Sequence, residues 1–287
     1  MSEKRLKVHS VLKQLIRCFC HMYMQKRQAI LNLISVIIVL FVNYFSQTGN
    51  INNQTISALS DKYDNLFTPA GYTFAIWGII FLGLIAYVTY QLVIIFYQKK
   101  ELESYSNAGY WFALVNLANA AWVFAWLYEW TGLSVIIMLF MLIGLIQIIL
   151  KTNMERWDAP LKTIAFVWWP ICIYSGWIAV ATIANIAAYL SKLGWTGGLS
   201  ETYWAIIMII SAVLINLFMV WNRNMREFGL VGVWALIGIY SRHQTSSSLI
   251  AWTAIIGAII LLLNIGIHGY QNRATNPFSK LLSQLTS

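Results

Sequence analysis

Apolar runs long enough to cross a membrane follow one another almost without interruption along this chain. A spanning helix needs about 20 apolar residues to cross roughly 30 Å of hydrocarbon, where backbone groups must be satisfied within the element itself. Eight stretches meet or approach that requirement, at residues 29–47, 71–97, 108–130, 132–151, 162–190, 203–221, 228–241 and 247–269. The pattern predicts an all-α integral membrane protein of about eight transmembrane helices. The seventh stretch is short, but Arg226 and Arg242 at its ends can snorkel to both interfaces. If it is re-entrant instead, the C-terminus changes side.

Composition agrees. Of 287 residues 59% are hydrophobic and 10% charged, where soluble chains carry about 25% charged residues. Mean hydropathy is +0.66, which leaves no polar half for a separate soluble domain. The net charge of +9 prompts the question of a nucleic-acid surface, and the placement of the charges answers it. With the N-terminus inside, sixteen of the nineteen Lys and Arg fall in inner segments, and only Lys62, Lys192 and Arg242 fall in outer ones. That asymmetry is the positive-inside signal of a multi-pass protein with both termini cytoplasmic, and no nucleic-acid partner is expected. A bacterial cytoplasmic (inner) membrane is the expected location. All ten carboxylates, from Glu3 to Glu227, fall in loops or at helix ends. A proton relay through mid-membrane acids is therefore disfavoured.

The chain divides into a basic tail at 1–28, a five-helix tryptophan-rich core at 29–191, three additional helices at 192–270 and a second tail at 271–287. In the first tail Val8, Leu12, Leu15, Ile16, Phe19 and Tyr23 recur at helical spacing between Lys and Arg residues, the pattern of an amphipathic helix on an anionic leaflet. A dispensable tail, or translation from Met22 or Met24, is the alternative, and no secretory signal is evident. Cys18, Cys20 and Cys172 form no pairing framework, and the Cys-x-Cys-His run at 18–21 lacks a second ligand pair, so no metal site is expected. His268 reads as a hydrogen-bonded residue rather than a haem ligand. The longest outer loop, 48–70, is long enough to fold back over the helix ends as a lid, or to be a plain solvated connection.

Fourteen tryptophans exceed what composition requires. Trp111, Trp157, Trp195 and Trp204 sit near predicted membrane boundaries, as interfacial anchors do. On the third helix Asn119, Trp122, Trp126 and Trp130 step by three or four residues, which places one amide and three indoles on one face. On the fifth helix Trp177, Ala181 and Asn185 repeat the design, and Trp77 enters the second helix after the Pro69–Gly71 turn. Such a stripe either packs helices together, with asparagines hydrogen-bonding across them, or lines a cleft for a flat apolar molecule.

These residues also carry a resemblance. Phe-Thr-Pro-Ala-Gly-Tyr-Thr-Phe-Ala-Ile-Trp at 67–77, Asn-Ala-Ala-Trp-Val-Phe-Ala-Trp at 119–126 and Trp-Ile-Ala-Val-Ala-Thr-Ile-Ala-Asn at 177–185 resemble the tryptophan-rich sensory protein (TspO/MBR, translocator protein or peripheral benzodiazepine receptor-like) family over about residues 29–191. The resemblance implies a pocket beneath the loop after the first helix that takes porphyrins, sterols or aromatic drug-like molecules. By matching position, Trp77, Asn119, Trp122, Trp177 and Ala181 would line it, with Asn185 bracing the fifth helix. Phe74 to Trp77 is one residue shorter than the family's spacing, and Pro170 to Trp177 about three longer. The family's sterol motif near Tyr189 is missing, and the Val93–Tyr97–Lys99 pattern is a weak substitute.

The expectation is a membrane sensor or binding protein for a hydrophobic planar molecule of tetrapyrrole type. It requires no cofactor, touches membrane lipid and admits a homodimer. No catalytic constellation stands out. The alternative is a small-molecule transporter or permease in which the additional helices complete a pathway lined by Asn216, Asn264 and the core asparagines.

Overall fold

The computed structural model describes residues 2–100, 103–195 and 197–273, with side chains from His21 onward and that of His9. The amphipathic pattern of the first tail lies outside the described side chains, and most of the second tail lies outside the described residues. Among the described residues the regular structure is entirely helical. A long helix α1 (Ser2–Gln47) leads into a short α2 (Ile56–Lys62), whose first turn is capped by the Thr55 hydroxyl accepting from Ala58 N. A 3₁₀ turn at Gly71–Ala75 opens α3 (Ile76–Leu92), which is followed by α4 (Glu103–Ala108), α5 (Trp111–Leu127) and α6 (Thr131–Lys151). A single turn α7 (Leu161–Thr163) and a π-helical stretch Ile164–Trp168 run into α8 (Trp169–Lys192), and α9 (Glu201–Arg223), α10 (Arg226–His243) and α11 (Ser248–Gln271) complete the bundle.

Among the described residues six helical runs are long and apolar enough to cross a membrane. Two shorter helices join them. The 17 residues of α5 run from Trp111, whose ring lies 6.0 Å from Lys151 Nζ, to Leu127, whose carbonyl accepts from Asn52 Nδ2. The 18 residues of α10 cover about 27 Å at 1.5 Å per residue. Its first turn follows Asn224, which donates to Glu155 O, and its last turn carries Arg242, which reaches Asp61 and Asp64 at the other end. The seventh stretch is therefore one unbroken helix between the two ends of the bundle. The third ends earlier than its sequence pattern predicts: α5 stops at Leu127, and Trp130 leaves the stripe, 59% exposed and stacked on Tyr128.

The centre is α8. Within its span 72% of the apolar window is buried, against 33–44% for the other long helices. One side of α8 packs on α3 and α6, the other on α10 and α9, while α1 closes against α5 and α3. α9, α10 and α11 pack on one another and dock through α10. Between membrane helices, small residues let backbones approach. A Cβ on Gly176 would stand 3.0 Å from the Phe228 carbonyl and 3.2 Å from its Cα, and one on Gly232 would stand 2.5 Å from the Asn216 amide.

The prediction is that Gly176→Val forces α10 off α8 and destabilises the protein by about 1–3 kcal/mol, measured by reversible unfolding in mixed micelles. Gly78→Ala, with nothing within 4 Å of the new methyl, should be neutral within about 0.5 kcal/mol.

Candidate functional site

The Pro69–Gly71 turn sets the site. Asn65 Oδ1 accepts from Phe67 N and Thr68 N bonds back to Asn65 O, so the chain reverses before Pro69 and enters the 3₁₀ turn. That turn is held by α10 from outside. Ala70 N donates to Gly238 O at 3.0 Å, and Trp234 Nε1 donates to Thr73 O at 2.9 Å. A Cβ on Gly238 would lie 2.1 Å from Thr73 Oγ1, so only glycine permits this approach. The turn thereby places Phe74 and Trp77 over the middle of α8.

Beneath it lies a narrow cleft, lined by Trp77, Trp122, Trp126, Trp177 and Phe74, the α8 residues Val180, Ala181, Ala184, Asn185 and Ala188, Met138 of α6, and a roof of Ile56, Ser60, Thr68 and Pro69. The void has a simple cause. Alanines on α8 face bulky indoles from α5 and α3, and small side chains leave the space that the rings frame. Trp122 and Trp126 lie nearly parallel, 5.9 Å apart at 14°. Trp177 stands edge-on to Trp77 at 6.3 Å and to Phe74 at 5.9 Å. No lining side chain is ionisable.

Of the six residues singled out by sequence, Trp77, Trp122, Trp177, Ala181 and Asn185 meet in this lining, and Asn119 does not. Asn119 is fully buried, accepts from Asn43 Nδ2 and donates to the Tyr174 hydroxyl, both at 3.0 Å. Asn185 accepts from Trp122 Nε1 at 2.7 Å and donates to Ser134 Oγ at 2.8 Å. The Trp177 indole N–H, by contrast, is buried without a hydrogen-bond partner. Trp126, Phe74, Met138 and the roof residues complete the lining; Trp126 had a signal in its place on the stripe, Phe74 in the 67–77 motif and the roof in the 48–70 loop read as a possible lid, while Met138 had none. Asn216 and Asn264 are spent elsewhere, Asn216 on the Ala212 carbonyl and Asn264 accepting from Trp221 Nε1, and neither lines this cavity.

The sequence profile of the family described as TSPO-like protein matches residues 29–267. The chain belongs to the TSPO-like protein family. The match runs through α9, α10 and most of α11, beyond the five-helix stretch that carries the resemblance in the sequence. No curated protein and no solved structure matches the chain. This TSPO-like protein is a multi-pass, all-α membrane protein in contact with lipid, of a ligand-binding or transport type.

Charged latches hold the roof of the TSPO-like cavity. Lys62 Nζ pairs with Glu129 at 2.7 Å, the Tyr63 hydroxyl donates to the same carboxylate, and Lys192 Nζ donates to the Glu129 carbonyl at 2.7 Å. On the α10 side Arg242 pairs with Asp61 at 2.8 Å and Asp64 at 3.0 Å. The three basic residues assigned to outer segments thus gather at one end of the bundle. Lys62 and the Tyr63 hydroxyl hold the Glu129 carboxyl below its usual value, while burial, reinforced by Glu129, pushes Tyr63 up to about 12. Glu129 also takes φ 59°, a left-handed conformation in which an ordinary residue is strained.

A carboxylate whose value is depressed on folding adds stability that is present above its ordinary value and lost as pH falls through the folded one. The thermal midpoint of the wild-type protein should therefore fall more steeply than that of Glu129→Gln as the pH is taken below about 4.5. Asn185→Ala should cost about 0.6–1.7 kcal/mol by the same unfolding measurement, because it leaves Trp122 Nε1 without its acceptor.

Proposed function

We propose that this protein binds a flat, hydrophobic molecule of tetrapyrrole type in the cavity under the 48–70 segment, as a sensor or handling protein for it. The observation that carries this reading is the buried, unpartnered indole N–H of Trp177 in a cavity walled by aromatic faces and lacking ionisable groups. Water-poor walls favour a ligand that brings apolar area, and the unpartnered indole donor favours one that also brings an acceptor. Trp77, Trp122, Trp177 and Ala181 are the contact residues in this proposal. Asn185 fixes the Trp122 ring, and Asn119 acts behind the wall by tying α5 to α1 and α8. The Lys62–Glu129 and Arg242–Asp61 latches control access by holding the roof down. The basic end of the bundle faces the cytoplasm of a bacterial cell in this reading, with both termini inside.

The test is titration of the purified protein with protoporphyrin IX, read by tryptophan quenching. Saturable quenching is expected, with Trp177→Phe, which keeps the ring and removes the donor, weakening affinity by about three- to tenfold, as for one hydrogen bond of roughly 0.5–1.5 kcal/mol. Trp122→Ala should weaken it further. Quenching that never saturates, or that both variants leave unchanged, overturns the proposal. Counterflow of a non-aromatic solute in proteoliposomes without saturable quenching replaces it with the permease reading.

A further inference from the structure

The end of the bundle opposite the aromatic cavity carries a second cleft, and this one is rich in charged side chains. Glu155, Arg156 and Asp158 line it from the α6–α7 connection, Asn224, Arg226 and Glu227 from the start of α10, and His268 from α11. Two of its lining carboxylates, Glu155 and Glu227, approach the buried Cys172 behind it. A carboxylate oxygen of Glu155, the Sγ of Cys172 and a carboxylate oxygen of Glu227 lie within 4.8 Å of one another. They arrive from three separate elements, and no spacing in the sequence links them.

Both carboxylates are partly exposed and share the cavity with Arg156 and Arg226, while the thiol is buried, so the charge a metal ion would compensate there is chiefly that of the thiolate. The hydrogen bonds of the site leave capacity over. Glu227 Oε2 is buried with no partner, and so is Nδ1 of His268, a side chain 3% exposed that faces the same cavity. Arg223 brings a positive charge to the site, but its NH2 group donates to the Ile149 and Met154 carbonyls at 3.0 and 3.2 Å. Cys172 itself is fully buried, with the Met154 thioether 4.0 Å from its sulfur.

We propose that Glu155, Cys172 and Glu227 form a binding site for a divalent transition metal ion of borderline softness, with zinc as the natural probe. A thiolate selects against magnesium and calcium, and two carboxylates select against purely soft ions such as Cu(I). Zinc takes Cys at about 2.3 Å and carboxylate at about 2.0–2.2 Å, which puts ligand atoms of a tetrahedron about 3.3–3.7 Å apart. The three atoms lie within 4.8 Å of one another, within reach of a rotation of either glutamate. The cavity gives the ion its route in and a water for the fourth position. On binding, the Cys172 thiol gives its proton to solvent, and the dication, with Arg223 beside the thiol and Arg156 and Arg226 in the cavity wall, offsets the ligand charges. Bound there, the ion ties the α6–α7 connection and α10 to α8, a staple on the helix that organises the bundle. The site stands apart from the aromatic cavity, so it holds or fails independently of the ligand proposed for that cavity.

The experiment is a cobalt(II) titration of the full chain in detergent micelles after removal of adventitious metal with a chelator. The expected result is one cobalt per chain with a thiolate-to-cobalt charge-transfer band, displaced by zinc. The band should vanish in Cys172→Ser, persist in a Cys18→Ser/Cys20→Ser double variant, and need at least tenfold more cobalt in Glu227→Gln and in Glu155→Gln. If Cys172→Ser does not fold, the two glutamate variants decide. Absence of the band in the wild-type protein, unchanged cobalt affinity in both glutamate variants, or a band lost with Cys18 and Cys20 instead, overturns the proposal.

Discussion

Within hydrocarbon an amide or hydroxyl without a partner costs several kcal/mol, and the helices of this protein are registered against one another by side-chain bonds that meet part of that demand. Asn32 Nδ2 donates to Gln91 Oε1 at 2.9 Å and Asn116 Nδ2 to Ser35 Oγ at 3.3 Å. Asn43, Asn119 and Tyr174 join α1, α5 and α8 in one chain of bonds, and Trp122, Asn185 and Ser134 join α5, α8 and α6 in another. Each bond contributes modestly. Together they leave few ways to slide α5, because a shift of one residue turns every amide away from its acceptor. The aromatic cavity is a by-product of that fixed register: once α5 and α8 are locked, Trp122 and Trp177 stand opposite alanines, and space remains between them.

Hydropathy made the bundle legible because the bilayer acts on every residue of a span, and the sum over about 20 residues is large. The positive-inside count carried the allocation of loops, and Lys62, Lys192 and Arg242 do gather at one end. Helix ends were less legible. Trp130 follows the stripe in spacing, yet the polar Glu129 ends the helix before it by taking a left-handed turn. The site was legible where one helix face carried it, as with Trp177, Ala181 and Asn185. It was not where partners decide the role of a side chain. Asn119 and Asn185 look alike in sequence. Only the positions of Tyr174 and Asn43 turn the first away from the cavity, while the second stays at its wall. Likewise nothing in the sequence sets Gly238 apart from the other α10 glycines, because its use depends on Thr73, which lies across a helix boundary far up the chain.

The match of the family profile through α9–α11 fits the way these helices are used. α10 fills the side of α8 that α3 and α6 leave open, and its glycines bring it close enough for backbone contact. The tryptophan-rich helices and the later ones therefore share one central element, and the face of α8 that carries the cavity is backed by the face that carries Gly176.

The backbone bond from Ala70 to Gly238, with Thr73 pressed against that same glycine, has a mechanical corollary. The cover of the aromatic chamber is bonded to a transmembrane rod as well as to the α5–α6 connection through Glu129, so its position is set together with the register of α10.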